Sequence, residues 1–113
     1  LVVLLYRRAV QVLEEAEEAI RTRDVPRAHA RLVYAQEIVS ELMASLNLEV
    51  GELAHQLWSI YDYAQRRLIE ANVRKDAAIV AEVRGFLSSL LEAWEQVAAQ
   101  ERTSQPAPLA ANA

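Results

Sequence analysis

The residues with the widest chemical reach in this chain are its two histidines and the acids around them. Glu52 and His55 form a Glu-x-x-His pair, and on a helix this i, i+3 spacing sets both side chains on one face, as two metal ligands require. A di-iron bundle needs that motif twice. The other histidine, His29, has Pro26 at the matching position, so half a site is present, and two groups make a poor ligand set. The pair is read as solvated side chains near a helix start. His29, in "RAHARL", could instead accept a phosphoryl group from a helix surface. Phosphotransfer bundles usually follow that histidine with Lys-Gly, and Arg31 and Leu32 stand here instead. The chain has no cysteine, hence no disulfide framework and no thiolate chemistry. No nucleophile has a base at recognisable spacing, and no glycine-rich loop could cradle phosphate. The acid clusters Glu14, Glu15, Glu17, Glu18 and Glu37, Glu41 read as solvated faces, with Glu17 and Arg21 at the i, i+4 spacing of an ordinary ion pair. The expectation is a protein that is not an enzyme and carries no metal or cofactor.

Composition narrows the class further. The chain has 113 residues, which suits one domain able to bury roughly two thirds of its unfolded surface. Its formal charge of −4 argues against nucleic acid, which wants a basic face. Hydrophobic residues make up 53%, above the roughly 45–50% of ordinary domains. A small domain so rich in apolar residues either packs very well or keeps apolar surface for a partner. The opening "LVVLLY" stops at Arg7 and Arg8, too short for the roughly 20 apolar residues of a membrane span. It also lacks the basic start and cleavage site of a signal peptide. No membrane insertion and a cytoplasmic location are expected. A start inside an apolar period, without Met, points to residues upstream of this sequence.

Four segments carry helical periodicity. The first runs from Leu1 to about Thr22 on a seam of Val2, Tyr6, Ala9, Leu13, Ala16 and Ile20. Asp24 is a good N-cap for the second, with Pro26 in its tolerated first turn; its seam is Ala28, Leu32, Ala35, Val39, Leu42 and Leu46. Asn47 closes that helix and Gly51 opens the third, whose seam is Ala54, Leu57, Tyr61, Ala64, Leu68 and Ala71. Asp76 caps the fourth, built on Val80, Val83, Leu87, Leu90, Trp94 and Val97. Short connections return each helix beside the last. The expected fold class is therefore all-α, an antiparallel up-down-up-down four-helix bundle over 1–102, with a disordered tail over 103–113. Gly85, inside the fourth helix, marks either close packing or a weak point.

A bundle helix needs an apolar stripe somewhat wider than about 100°, and two helices exceed it. The third adds Leu53, Trp58, Ile60 and Tyr63 to its seam, and the second adds Tyr34, Ile38 and Met43. The surplus predicts an external groove for another amphipathic helix. Leu48 and Val50, apolar residues in the "NLEVG" joint, become a cap over the bundle end or one lip of that groove.

Patches along the chain resemble the flagellin-specific export chaperones, FliS. They are "LVVLLYRRAVQVLEEAEEAI", "YAQEIVSELMASLNLEVG", "LWSIYDYAQRRLIEANVRKD" and "EVRGFLSSLLEAWEQ", in order and at family-like spacing. The chain departs from that pattern at Arg7 and Arg8, where the family often has Asp-Gly, and around Gly51, where it often has one more residue. The family's short N-terminal segment, with its Ser-Pro helix start, has no counterpart here. The resemblance implies a cytoplasmic bundle that binds the disordered C-terminal segment of flagellin, hides its apolar helical faces, prevents premature polymerisation and helps deliver it to the flagellar export gate. Residues and resemblance together assign the groove to Ile38, Leu42, Leu46, Leu57, Trp58, Tyr61 and Tyr63, with Asn47 and Asn72 serving backbone groups at two helix ends. The alternative is a generic helical adaptor or regulator with a different client protein.

Overall fold

A computed structural model describes the backbone of residues 1–104 and the side chains of residues 1–102. Four helices make up nearly all of it: α1 (Val2–Arg21), α2 (Val25–Ala44), α3 (Glu52–Arg74) and α4 (Ala77–Ser104). Where a tail was expected over 103–113, α4 runs through residues 103 and 104, and residues 105–113 lie outside those described.

The helices form a closed ring in which α1 packs on α2 and α4, and α3 packs on α2 and α4, while the diagonal pairs make no close backbone approach. Side-chain pairs fix the directions. Arg7 meets Glu95 and Glu17 meets Arg84, so α1 and α4 are antiparallel. Arg8–Tyr34 and Arg31–Glu15 show the same for α1 and α2. This is the expected up-down-up-down bundle, and neighbours in the ring are neighbours in the chain except where α4 closes on α1.

The two turns at one end of the bundle use the same device. Arg23 and Lys75 are non-glycine residues in the left-handed region, with φ of 60° and 51°, and each is followed by aspartate. Backbone N–H groups of Asp24 and Asp76 donate to the carbonyls of Ala19 and Ala71, closing the preceding helices in the manner of a Schellman turn. The aspartate side chains then accept from the N–H groups of Arg27 and Ala78, opening the next helices. One residue thus serves two helix ends, which is why these connections are so short.

The core is made from the predicted seams, with Tyr6, Leu13, Leu32, Leu42, Leu68 and Leu87 among its largest fully buried side chains. Burial is wider than the seams. Val12, Ile38 and Ile79 are also enclosed, because each helix is flanked on two sides and buries a stripe facing both neighbours. Towards the α2–α3 turn the enclosure fails. Leu90 and Trp94 are only partly covered, and Val97, expected in the α4 seam, is exposed.

Across the centre, the hydroxyls of Tyr6 and Tyr61 hydrogen-bond at 2.6 Å, joining the diagonal helices α1 and α3. Tyr6 also packs against the ring of Trp94, centroids 6.4 Å apart. Burial pushes the Tyr6 phenol up, partly offset by hydrogen bonds from Tyr61 and Trp94. The Tyr61 phenol rises further through burial and its bond to Tyr6. Both groups hold their protons more tightly folded than unfolded. Their contribution to stability is therefore present below the ordinary phenol pKa of about 10 and is lost as pH rises through the folded values.

Two substitutions test this account by denaturant unfolding. Tyr6→Phe strands the buried Tyr61 hydroxyl and should cost about 1–3 kcal/mol. Tyr61→Phe leaves the Tyr6 hydroxyl only its Trp94 donor and should also destabilise, and the double variant, which removes both hydroxyls, should cost less than the sum. At Gly85 a Cβ would meet nothing within 4 Å, so the glycine is a weak point rather than a close contact. Gly85→Ala should therefore stabilise by about 0.5–1 kcal/mol; a loss of stability would show that close packing does hold it.

Candidate partner-binding surface

The other end of the bundle is built differently. The α2–α3 connection has no Asp device. Ser45 turns its hydroxyl onto the Leu42 carbonyl, Asn47 Oδ1 accepts from the Glu49 N–H, and Val50 N–H donates to the Asn47 carbonyl. Gly51 sits at φ 139° and opens α3 without a side-chain cap, a conformation that favours glycine. Asn47 therefore serves a backbone group as expected, though α2 already ends at Ala44. Asn72 does something else: its amide donates to His29 Nδ1, and its side chain and carbonyl accept from Lys75 Nζ.

This loosely closed end gathers apolar side chains. Of eleven exposed large hydrophobics among the described residues, seven belong to it: Leu1, Leu4, Leu48, Val50, Leu53, Trp58 and Val97. Val50 is 75% exposed and Leu53 is 64% exposed, so the apolar residues of the joint form a lip rather than a cap. Behind them lies a cleft of about 450 Å³, walled by Val2, Leu46, Val50, Leu53, Leu57 and Trp94, with Tyr61 reaching its lining.

A second groove, about 440 Å³, runs between α3 and α4 and is lined by Ser59, Ile60, Tyr63, Phe86, Ser89 and Leu90. Tyr63 and Phe86 stack at a tilt with centroids 6.0 Å apart. Its edge is polar and fixed. Tyr63 donates its hydroxyl to Glu82 at 2.6 Å, and Arg67 donates to the other Glu82 oxygen at 2.8 and 3.0 Å while also holding Glu70. The Tyr63 and Arg67 donors hold the Glu82 carboxyl below the usual carboxylate range, and the same hydrogen bond pushes the Tyr63 phenol up.

The seven residues assigned from sequence are not one groove. Ile38 and Leu42 are buried in the core and line neither opening. Leu57 and Tyr61 are also buried, but with Leu46 they line the end cleft. Tyr63 lines the α3–α4 groove. Trp58 lies on the opposite flank of α3. It shares a helical face with Gln65 and Asn72, both bonded to α2, and it remains 40% exposed. Among the other surplus residues, Tyr34 is taken by Arg8 and Arg31, whose guanidinium groups stack over its ring at 5.3 and 5.5 Å. Phe86 was missed. It follows Gly85 and precedes the seam residue Leu87, and one more apolar residue beside a seam carries no separate signal.

The histidines occupy neither opening. His29 is engaged by Asn72 at the far end, and His55 is exposed on α3. Among the described residues no group of three or more His, Asp or Glu side chains is placed to hold a metal, and no helix is long and apolar enough to cross a membrane.

Fold and surface together define an all-helical bundle with uncovered apolar openings on α3 and at one end. The family described as Flagellar protein FliS matches residues 1–101, and the chain belongs to that family. It is 35% identical over 102 residues to the flagellar secretion chaperone FliS of Bacillus subtilis, covering 90% of this chain and 76% of that protein. With the FliS of Salmonella typhimurium it shares 38% identity over 99 residues, 86% of this chain and 73% of that one. The flagellar secretion chaperone FliSB of Pseudomonas aeruginosa is 30% identical over 98 residues, 86% of this chain and 78% of that protein.

The groove edge makes a pH prediction. A carboxyl whose folded pKa is depressed contributes stability that is present above its unfolded value and lost as pH falls through the folded one. In Tyr63→Phe, which removes the first donor, the Glu82 side-chain resonance should titrate at higher pH than in the parent. An unchanged midpoint by NMR would show that Arg67 alone holds it.

Proposed function

We propose that this chain is a cytoplasmic flagellar secretion chaperone that binds the disordered C-terminal segment of flagellin, keeps it from polymerising and presents it to the export apparatus. The observation that carries this reading is the α3–α4 groove: an apolar channel with two aromatic rings at its centre and hydrogen-bonded charges along only one edge. The names of the curated relatives support secretion chaperoning, and the resemblance in sequence supports flagellin as the cargo.

A segment that folds as it binds loses about 2–5 kcal/mol or more of its contact energy to ordering. Affinity must then come from extended apolar area with a few rigid anchors. Tyr63 and Phe86 supply such anchors in the groove, and Trp58 supplies one on the other flank of α3. Aromatic rings suit this role because a large apolar body is fixed by few torsions. Because Trp58 and Tyr63 face opposite sides of α3, the client wraps across that helix rather than lying in one slot. Ile38 and Leu42 act from beneath, by holding α2 and α3 together.

Calorimetric titration with a flagellin C-terminal peptide tests the reading, alongside circular dichroism of the mixture. The peptide should gain helix on mixing. Tyr63→Asp and Phe86→Asp should each weaken binding by about tenfold or more, equivalent to about 1.4 kcal/mol, and Trp58→Ala should weaken it in the same direction. Unchanged affinity in all three folded variants would remove this surface from the mechanism.

A further inference from the structure

We propose that the cleft at the α2–α3 end is a second docking site, separate from the client groove, for a short apolar peptide segment that carries lysine or arginine. Its volume, about 450 Å³, lies in the range of sites that enclose a few side chains. That is too little for a long helix and enough for one apolar turn. The walls supply the apolar contact through Leu46, Val50, Leu53 and Trp94.

Charge selects the occupant. Glu52 lines the cleft, Glu49 sits in the connection beside Val50, and Glu41 lies one turn before the cleft residue Ser45. All three are exposed, and none has an ion-pair partner among the described residues. Most other acids on the bundle are engaged: Glu15 by Arg31, Glu17 by Arg84, Glu70 and Glu82 by Arg67, and Glu95 by Arg7. The negative rim is also a local feature rather than a share of the net charge. The smaller cleft at the opposite end is apolar too, yet it carries Arg23 and Lys75. An apolar opening rimmed by unpaired carboxylates excludes an acidic segment by repulsion and accepts a cationic one, with salt-dependent strength.

The two tryptophans make the test direct. In a Trp58→Phe background, the fluorescence of Trp94 in the cleft wall reports occupation. The probe is a short synthetic amphipathic Leu/Lys peptide, compared with a Leu/Glu peptide of the same pattern. The Lys peptide should bind, weaken as salt is raised, and lose about tenfold or more in affinity when Glu49→Lys and Glu52→Lys are combined. The same charge change placed on Glu14 and Glu37 should leave it bound. Equal binding of both peptides, or equal loss in the two charge variants, would overturn the proposal. So would a salt-sensitive rise in molecular mass by light scattering that Glu49→Lys with Glu52→Lys abolishes, because a second copy would then own the cleft. The flagellin titration separates this from the chaperone reading. Tyr63→Asp should weaken client binding by about tenfold or more and leave the Lys peptide unaffected, and parallel loss of both would refute a separate site.

Discussion

Two buried phenols that lose water must find hydrogen-bond partners inside the protein, and their pairing organises this bundle. The Tyr6–Tyr61 hydrogen bond crosses one of the two diagonals along which the helices make no close backbone approach, so it ties the register of α1 to that of α3 while packing around the ring sets the rest. Sliding either helix by a residue would strand a hydroxyl in the core. The pair also lies where enclosure ends: Tyr61 reaches the lining of the end cleft, and the Trp94 ring beside Tyr6 forms part of its wall. The fully buried tyrosine layer of the core is thus the floor of the opening above it.

The two ends of the molecule follow from two kinds of turn. At one end a left-handed residue and an aspartate close one helix and start the next within a few residues, leaving little backbone unsatisfied. At the other, the chain runs from Ser45 to Gly51 on local bonds of its own, and the helix ends around it spread enough for Leu48, Val50 and Leu53 to meet solvent. Apolar surplus is therefore concentrated where the connection is longest, not scattered over the bundle. The α3–α4 groove is a separate consequence of packing, since Tyr63 and Phe86 stack on each other outside the stripe that α3 and α4 bury.

Much of the fold was legible because a helix announces itself by period. The seams through Leu13, Leu32, Leu68 and Leu87 are core residues, and Asp24 caps α2 through its own carboxylate. Period says which residues face inward, but not how wide the buried stripe becomes once a helix has two neighbours. Ile38 accordingly looked like surplus and is core, while Leu42, Leu57 and Tyr61 belonged to a seam and were assigned to a groove as well. Nor does sequence separate the flanks of one helix with respect to partners placed by the fold, and so Trp58 and Tyr63 were read as one surface although α3 stands between them. Phe86 had no legible signal at all, because its significance comes from Tyr63 across the helix pair.

Among twelve basic residues the chain carries a single lysine, Lys75, and the fold parks it at the aspartate-capped end with its Nζ on Asn72. That places the molecule's one side-chain primary amine a full bundle length away from the apolar mouth. A bead, sensor chip or fluorophore attached through this side chain would therefore leave the apolar mouth facing outward.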